Sequence, residues 1–193
     1  MTKFESLLAE VKDCTICASD LALGPRPVVQ ASASARILIA GQAPGRKVHL
    51  SGIPFDDASG DRLREWMGIT REVFYNPELI AIVPMGFCFP GTGKSGDLPP
   101  RAECAPAWRD QILSYLDQLR MTLVIGQYAQ KFHFSTERIS VTDRVKTWRS
   151  LSPTYFPLPH PSPRNNIWLR KNPWFEEELL PDLRTEIQDV LSK

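Results

Sequence analysis

The residues best suited to chemistry follow one short apolar run. Residues 37–40 predict a buried strand, and the Gly/Pro-rich loop 41–45 ends it. One aromatic side chain, Phe55, and two carboxylates, Asp56 and Asp57, come shortly afterwards, just before a helical pattern. A glycine-rich loop, an aromatic ring and a carboxylate at the carboxyl end of a strand are components of a ligand pocket. The alternative is a tight strand-to-helix turn with solvated acids, because short glycine motifs are weak signals.

The second group of reactive side chains is a set of four cysteines. Cys14 and Cys17 form a C-x2-C pair, and Cys88 and Cys104 stand near the two ends of a long Gly/Pro-rich loop. Four thiolates can hold a zinc ion or a [4Fe-4S] cluster, and spacing alone leaves both open. A zinc ribbon usually carries a second C-x2-C pair, which is missing here. The alternative is four unrelated buried thiols, since free cysteine behaves as a small hydrophobic residue.

Composition limits the class of protein. The chain has 193 residues, which predicts one domain over 1–193 with a full core. Its 23 basic and 22 acidic residues give a net charge of +1, so a DNA-binding surface would have to be a local patch. We expect no membrane segment, because no apolar run reaches the length of a span and the first residues lack a signal peptide's apolar centre. A cytoplasmic protein with reduced thiols is therefore expected.

Strand and helix patterns alternate along the chain. Buried strands are predicted at 37–40, 79–83, 122–126 and 154–158. Helices are predicted at 4–12, at 61–68, from Thr70, at 108–120, at 127–133 and at 174–191, the last interrupted at Pro181. The alternation predicts an α/β fold with a mostly parallel central sheet of about four strands.

Other segments give weaker signals. Ser59 or Asp61 is the predicted N-cap of the helix through residue 68. Residues 46–51 form a polar span, residues 84–106 predict a long irregular loop, and residues 134–153 give no clear pattern. A loop as long as 84–106 in a compact domain is usually functional or tied down.

Two of the predicted strands end in loops with unusual residues. Loop 41–45 follows the first strand, and the Pro-His-Pro-Ser-Pro-Arg-Asn segment 159–165 follows the last. Because the carboxyl ends of parallel strands meet at one edge of a sheet, we expect these two loops to meet.

With these motifs in place, the sequence resembles the uracil-DNA glycosylase superfamily, and it looks closest to the iron–sulfur-containing families 4 and 5. The matching motifs are Gly41-Gln42-Ala43-Pro44-Gly45, Gly52-Ile53-Pro54-Phe55, Asp57-Ala58-Ser59-Gly60-Asp61, and His160-Pro161-Ser162 with the span to Asn165. The four cysteines match the cluster ligands of these families in order and approximate spacing, which favours [4Fe-4S] over zinc. The resemblance covers most of the chain, from about Cys14 to the last helix, and implies a three-layer α/β/α sandwich.

The resemblance also implies a role for each residue of the motifs that would hold the base. A base flipped out of DNA would stack on Phe55, while backbone N–H groups around Gly41, Gln42 and Ala43 bind a base oxygen. His160 would donate a hydrogen bond to the charge that develops on the departing base. The structural alternatives are a core phenylalanine and a histidine satisfied within a proline-bounded turn.

A carboxylate and a short polar segment complete the implied site. Asp57 would orient the attacking water and stabilise the oxocarbenium-like sugar, although it could instead serve only as a helix cap. Asp56 or His49 could take the catalytic role in its place. The residues expected to contact the DNA backbone, or the space that the base vacates, are Ser162, Arg164 and Asn165.

The sequence departs from the family patterns in three places. Val48 and His49 stand where family 4 has a Glu-Asp pair, Ala43 stands where other families have an Asp or Asn, and the run 82–88 lacks the Asn that family 4 has just before its third cysteine. Three functions therefore stay open. The first is a monofunctional glycosylase that removes a deaminated base, uracil foremost, in base excision repair. The others are a DNA-binding protein without cleavage and a hydrolase of free nucleosides or nucleotides. We expect a monomer without an obligate protein partner, and no role for His133.

Overall fold

A parallel sheet lies at the centre of the molecule. The computed structural model describes residues 2–134 and 139–192. Its strands are β1 (Ile37–Ala40), β2 (Ile80–Ile82), β3 (Thr92–Gly93), β4 (Gly96–Asp97), β5 (Met121–Ile125) and β6 (Tyr155–Leu158). The main sheet has the order β2-β1-β5-β6, and each neighbouring pair is parallel. The remaining two strands, β3 and β4, form a small antiparallel hairpin.

Helices connect the strands and cover the sheet. They are α1 (Lys3–Lys12), α2 (Arg46–Ser51), α3 (Ala58–Met67), α4 (Arg71–Phe74), α5 (Asp110–Leu113), α6 (Gly126–His133), α7 (Val141–Lys146), α8 (Trp148–Leu151), α9 (Asn166–Lys171) and α10 (Leu180–Leu191). Short 3-10 turns occupy Ala18–Asp20 and Pro163–Asn165, and wider π-type turns occupy Ala105–Arg109 and Phe175–Leu179. Within the described part of the chain, no helix is long and apolar enough to cross a membrane.

Alternate residues of β1 enter two separate cores. Ile37 and Ile39 pack with residues of α3 and α10, whereas Leu38 packs on the opposite face with residues of α1 and α5. This division follows from the strand period, which turns successive side chains to opposite faces. Because both faces are covered, the strands are continuously apolar. The predicted α/β/α sandwich with a mostly parallel four-stranded sheet is confirmed.

The strand predictions agree with the structure to within one or two residues, but one helix prediction is wrong. The helix predicted over 108–120 ends at Leu113, because Tyr115 N–H and Leu116 N–H bond to carbonyls only three residues back and tighten the chain into turns. The predicted change at Pro181 is present, since a π-type turn occupies Phe175–Leu179 and α10 begins at Leu180. Pro181 lies in the first turn of α10, where its missing N–H is not needed.

Some elements have no counterpart in the sequence predictions. Helix α2 lies in the polar span 46–51, and the β3–β4 hairpin lies in the loop 84–106. Helices α7 and α8 lie in the segment 134–153, part of which, 135–138, is outside the described residues. Neither Ser59 nor Asp61 is the N-cap of α3. The alternative interpretation of Asp57 as a helix cap is confirmed, since its Oδ1 accepts a hydrogen bond from Gly60 N–H at 2.9 Å.

Candidate active site

The carboxyl end of the sheet opens into a cavity of about 450 Å³. Its lining includes every non-cysteine residue predicted to act on the base or the DNA, namely Gly41, Gln42, Ala43, Phe55, Asp57, His160, Ser162, Arg164 and Asn165. A cavity of this size suits a ligand as large as a nucleobase with its sugar. The two loops that were expected to meet therefore line one pocket.

The pocket is lined by the loops that follow β1 and β6, although β5 lies between these two strands. Strand β5 leaves the pocket open because α6 begins directly after it, without a loop. The first residue of α6, Gly126, has a φ of +74°, and a Cβ there would lie 4.0 Å from the His160 Cβ. A glycine accepts this conformation without strain. The tight turn leaves room for His160 to face the loop after β1.

The loop after β1 is held by neighbouring backbone. The carbonyls of Gly41 and Gln42 accept hydrogen bonds from the N–H groups of Met85 and Gly86, both at 2.9 Å. The Gln42 side chain donates to the carbonyl of Leu98 at 3.2 Å. These bonds fix the loop before a ligand enters, which favours tight recognition.

Phe55 has an unusual backbone conformation. Its φ is +54°, a left-handed value that is rare for a bulky residue. Gly60 permits it, because a Cβ at that position would overlap the Phe55 carbonyl. The same carbonyl accepts a hydrogen bond from Arg64 at 3.4 Å, and the ring meets Phe74 edge-on at 6.1 Å. Strained residues persist where surrounding contacts hold them, and they cluster at functional sites.

The Phe55 ring also lies against the backbone of the first loop. A Cβ at Gly41 would sit 3.5 Å from Phe55 Cζ. Only part of the ring is buried against the core, and the rest lines the pocket. The aromatic face is therefore accessible to a flat ligand.

Asp57 caps a helix and also lines the pocket. Its Oδ1 caps α3, whereas its Oδ2 approaches Gly45, where a Cβ would be 3.8 Å away. The two other candidates for the catalytic role lie outside the pocket lining. Asp56 pairs with Arg71 at 3.0 Å, and this hydrogen bond lowers the pKa of Asp56. His49 is buried beside Phe89, and burial lowers the pKa of its ring.

His160 has the hydrogen bonds expected of a neutral imidazole that donates a proton in a hydrogen bond. Its Nδ1 accepts a hydrogen bond from the Ser162 N–H at 3.2 Å, which leaves the ring proton on Nε2. Burial lowers the pKa of His160, although the charges of Asp57 and Asp97 oppose this effect. The imidazole is therefore neutral near pH 7 and can donate from Nε2.

The polar residues after His160 hold the pocket wall together. Asn165 donates to the His160 carbonyl at 2.6 Å, and the Ser162 Oγ accepts from the Arg164 N–H at 3.2 Å. The guanidinium of Arg164 donates to the Ser95 carbonyl at 3.1 Å and so reaches the β3–β4 hairpin. Each of these residues has a structural partner in addition to its place at the pocket.

Sequence reasoning missed one pocket carboxylate, Asp97. It lies on β4, and its Oδ2 approaches the same glycine as Asp57, at 3.4 Å from where a Gly45 Cβ would be. The pocket wall formed by Val28, Ile82 and Pro84 is apolar. An acid within a Gly/Pro-rich loop resembles any solvated turn residue, so no local signal marked Asp97.

The four cysteines line a second, smaller pocket. Apolar residues make up most of the rest of its lining, and Trp108 Nε1–H donates to the Cys14 sulfur at 3.1 Å. The Phe87 N–H donates to the Cys104 sulfur at 3.2 Å. Burial raises the pKa of Cys104 to about 12. Within residues 2–134 and 139–192, no three His, Cys, Asp or Glu side chains are arranged to hold one metal ion.

His133, for which no role was predicted, lies in a separate cluster. Its Nε2 is 3.0 Å from Nη2 of Arg109, a fully buried residue that also lies over the Phe132 ring. Burial, reinforced by the Arg109 charge, lowers the pKa of His133 to about 4. This pair belongs to neither pocket.

The fold and the pocket agree with one family. The profile of the Uracil DNA glycosylase superfamily matches residues 28–184, which is most of the chain and includes all the pocket residues. The chain belongs to this superfamily. Membership indicates a hydrolase of the glycosylase type that acts on DNA. Cys14 and Cys17 precede the matched range, whereas Cys88 and Cys104 lie within it.

Proposed function

We propose that the protein is a monofunctional DNA glycosylase that hydrolyses the N-glycosidic bond of a deaminated base, uracil foremost, in base excision repair. The observation that carries the proposal is that Phe55, Asp57 and His160 line one cavity. A stacking face, a carboxylate and a neutral hydrogen-bond donor are what removal of a flipped base requires.

Base binding comes first in the proposed reaction. The target nucleotide leaves the stack, and its base lies against the exposed face of Phe55. Backbone N–H groups around Gln42 and Ala43 bind a base oxygen. The rigid loop supports this role, since its carbonyls are already bonded to the backbone of residues 85 and 86.

Bond cleavage follows between Asp57 and His160. The C1′–N bond breaks and its electron pair stays on the base, while positive charge develops on the sugar. His160 donates from Nε2 to the oxygen that carries the new negative charge. Asp57 Oδ2 orients a water, whose oxygen bonds to C1′ and whose proton passes to the carboxylate. The base then takes up a proton from solvent.

The residues after His160 would guide the DNA strand. Ser162 would bind a phosphate that flanks the flipped nucleotide, and Arg164 and Asn165 would contact the backbone or the vacated space. Arg164 is exposed and cationic, which supports contact with a phosphate.

We further propose that Cys14, Cys17, Cys88 and Cys104 hold a [4Fe-4S] cluster, as in families 4 and 5. The four residues line one pocket, and two sulfurs receive N–H donors, as thiolates in metal sites do. The chain lacks the second C-x2-C pair of a zinc ribbon, and the four cysteines follow the order of the cluster ligands in families 4 and 5, which favours a cluster over one zinc ion. When bound, the cluster would supply structural cross-linking between the N-terminal segment and the loop 84–106, away from Asp57 and His160.

The test is a base-release assay on defined substrates. Purified protein is incubated with labelled oligonucleotides that each carry one uracil, hypoxanthine, xanthine or mismatched thymine, single- and double-stranded. Alkali then cleaves at abasic sites. Cleavage of at least one substrate is expected, and it would name the base.

One observation favours a second candidate, a DNA-binding protein that does not cleave. The pocket wall at Val28, Ile82 and Pro84 offers no amide to the edge of the base, whereas family 4 has an asparagine before the third cysteine. Binding to every damaged oligonucleotide without release of any base would support this candidate and overturn the glycosylase.

A further inference from the structure

A second carboxylate faces the pocket from an element that the family motifs do not include. Asp97 lies on β4 of the hairpin inserted between Cys88 and Cys104. Its Oδ2 and the Oδ2 of Asp57 approach Gly45 together, at 3.4 and 3.8 Å from the position of a Cβ on that glycine. Both carboxylates line the same cavity, and Asp97 is exposed to solvent at its edge.

The hairpin that carries Asp97 is hydrogen-bonded to both of the loops that line the pocket. Gln42 donates to the Leu98 carbonyl at 3.2 Å, and Arg164 donates to the Ser95 carbonyl at 3.1 Å. Gly96, between them, has a φ of +137°, and a Cβ there would collide with the Arg164 guanidinium. The position of Asp97 therefore depends on the two loops that also carry the base-binding and His160 motifs.

The electrostatics agree with this placement. The charges of both Asp57 and Asp97 act on His160 and oppose the effect of burial on its pKa. Both carboxylates also line the same cavity as the imidazole. Two negative groups near one neutral donor are suited to a cationic sugar between them and a departing base beside the donor.

Asp57 uses part of its acceptor capacity within the protein, because its Oδ1 accepts the Gly60 N–H and caps α3. A water donates two hydrogen bonds, and a carboxylate oxygen of Asp97 beside the Asp57 Oδ2 would supply a second acceptor for it.

We propose that Asp97 is a second catalytic carboxylate, which shares with Asp57 the attacking water and stabilises the cationic sugar. This inference rests on the proposed glycosylase function. In the step it describes, the C1′–N bond breaks with its electron pair on the base, and the water oxygen bonds to C1′. One water proton passes to Asp57 or Asp97 while the other stays on the new hydroxyl.

The experiment measures single-turnover base release by wild-type protein and by D97N, D97E and the control D189N, on the substrate that the wild type cleaves. Asp189 is an exposed carboxylate on α10, outside the pocket lining. We expect D97N to lower the maximal rate about 10- to 100-fold with half-saturating protein concentration changed less than about twofold. D97E should retain more activity than D97N, although asparagine is closer in shape, and D189N should match the wild type.

Other outcomes separate the two proposals. The role of Asp97 is overturned if the wild type releases a base and D97N is equally fast or loses only affinity for DNA. It is also overturned if D97N is no slower than D97E. In each of these cases the proposed glycosylase function is retained. If the wild type releases no base from any substrate, the glycosylase is overturned and the role of Asp97 falls with it. Circular dichroism and melting temperature of each variant establish that the fold is retained, which is expected because Asp97 is exposed.

Discussion

In the candidate active site, most polar side chains already have partners within the protein, whereas in the cysteine pocket four sulfurs line a cavity of mainly apolar residues. Asp57 caps a helix, His160 accepts from a backbone N–H, and Arg164 bonds the hairpin. The cysteine pocket, by contrast, is mainly apolar, and its sulfurs receive N–H donors only from Trp108 and Phe87 among the bonds described above. The first pocket is therefore preorganised for a polar ligand, whereas the cluster that we propose would complete the second.

The largest expected effect is at the second pocket. C88S should lower iron and acid-labile sulfide, reduce solubility, and destabilise the fold by several kcal/mol, because metal-binding free energy contributes to folding free energy. Base release by the protein that remains folded should change much less. Iron and sulfide analysis, thermal melting and the release assay would measure these effects. A soluble, stable C88S protein without metal would contradict the proposed structural role of the cluster. If the wild-type protein contained zinc instead of iron and sulfide, the site would be a mononuclear zinc site and the cluster proposal would be wrong.

A smaller effect is expected where the backbone of the first pocket is most constrained. G60A, at the start of α3, should destabilise the protein by about 3 kcal/mol because the new Cβ would overlap the Phe55 carbonyl. An ordinary glycine-to-alanine change within a helix stabilises by about 0.5–1 kcal/mol, so the sign of the change is the test. Denaturant unfolding measures it, with E65A on the exposed face of the same helix as the control. A more stable G60A protein would show that Phe55 is not held by this contact.

The smallest effect comes from a residue that belongs to neither pocket. The pKa of His133 is about 4 in the fold and near 6.5 when unfolded, so the unfolded chain binds its proton first. The free energy of unfolding therefore decreases as the pH falls from 6.5 toward 4. Between pH 7.5 and pH 5 the expected decrease is about 2 kcal/mol. H133Q, whose amide oxygen can still accept from Arg109, should flatten this dependence without changing base release at pH 7.5. An equal pH dependence in both proteins would assign the acid sensitivity to other groups.

The fold and much of the site followed from local patterns. Continuous apolar runs marked the four strands of the sheet, and parallel order alone brought the loops at 41–45 and 159–165 together. Phe55, Asp57 and His160 were predictable because each belongs to a short motif with its neighbours. For these features, residues that are close in the sequence determine the local structure.

The remaining features depend on contacts between distant residues. Gly60 permits the backbone of Phe55, and Gln42 and Arg164 bond to the hairpin that brings Asp97 close to Gly45. The end of the helix at Leu113 depends on turns whose apolar residues, such as Leu116, still pack in the core and so imitate a helical pattern. Contacts of this kind join residues that are far apart in the sequence, so a local sequence pattern does not predict them.

The central claim is that the preorganised pocket breaks a glycosidic bond, and single-turnover base release by wild-type protein and D57N tests it most directly. Asparagine can still cap α3, so the variant should fold normally while its carboxylate charge is lost. We expect the wild type to release at least one deaminated base and D57N to be about 100-fold or more slower at saturating protein. Equal rates for the two proteins, or DNA binding without release by either, would contradict it.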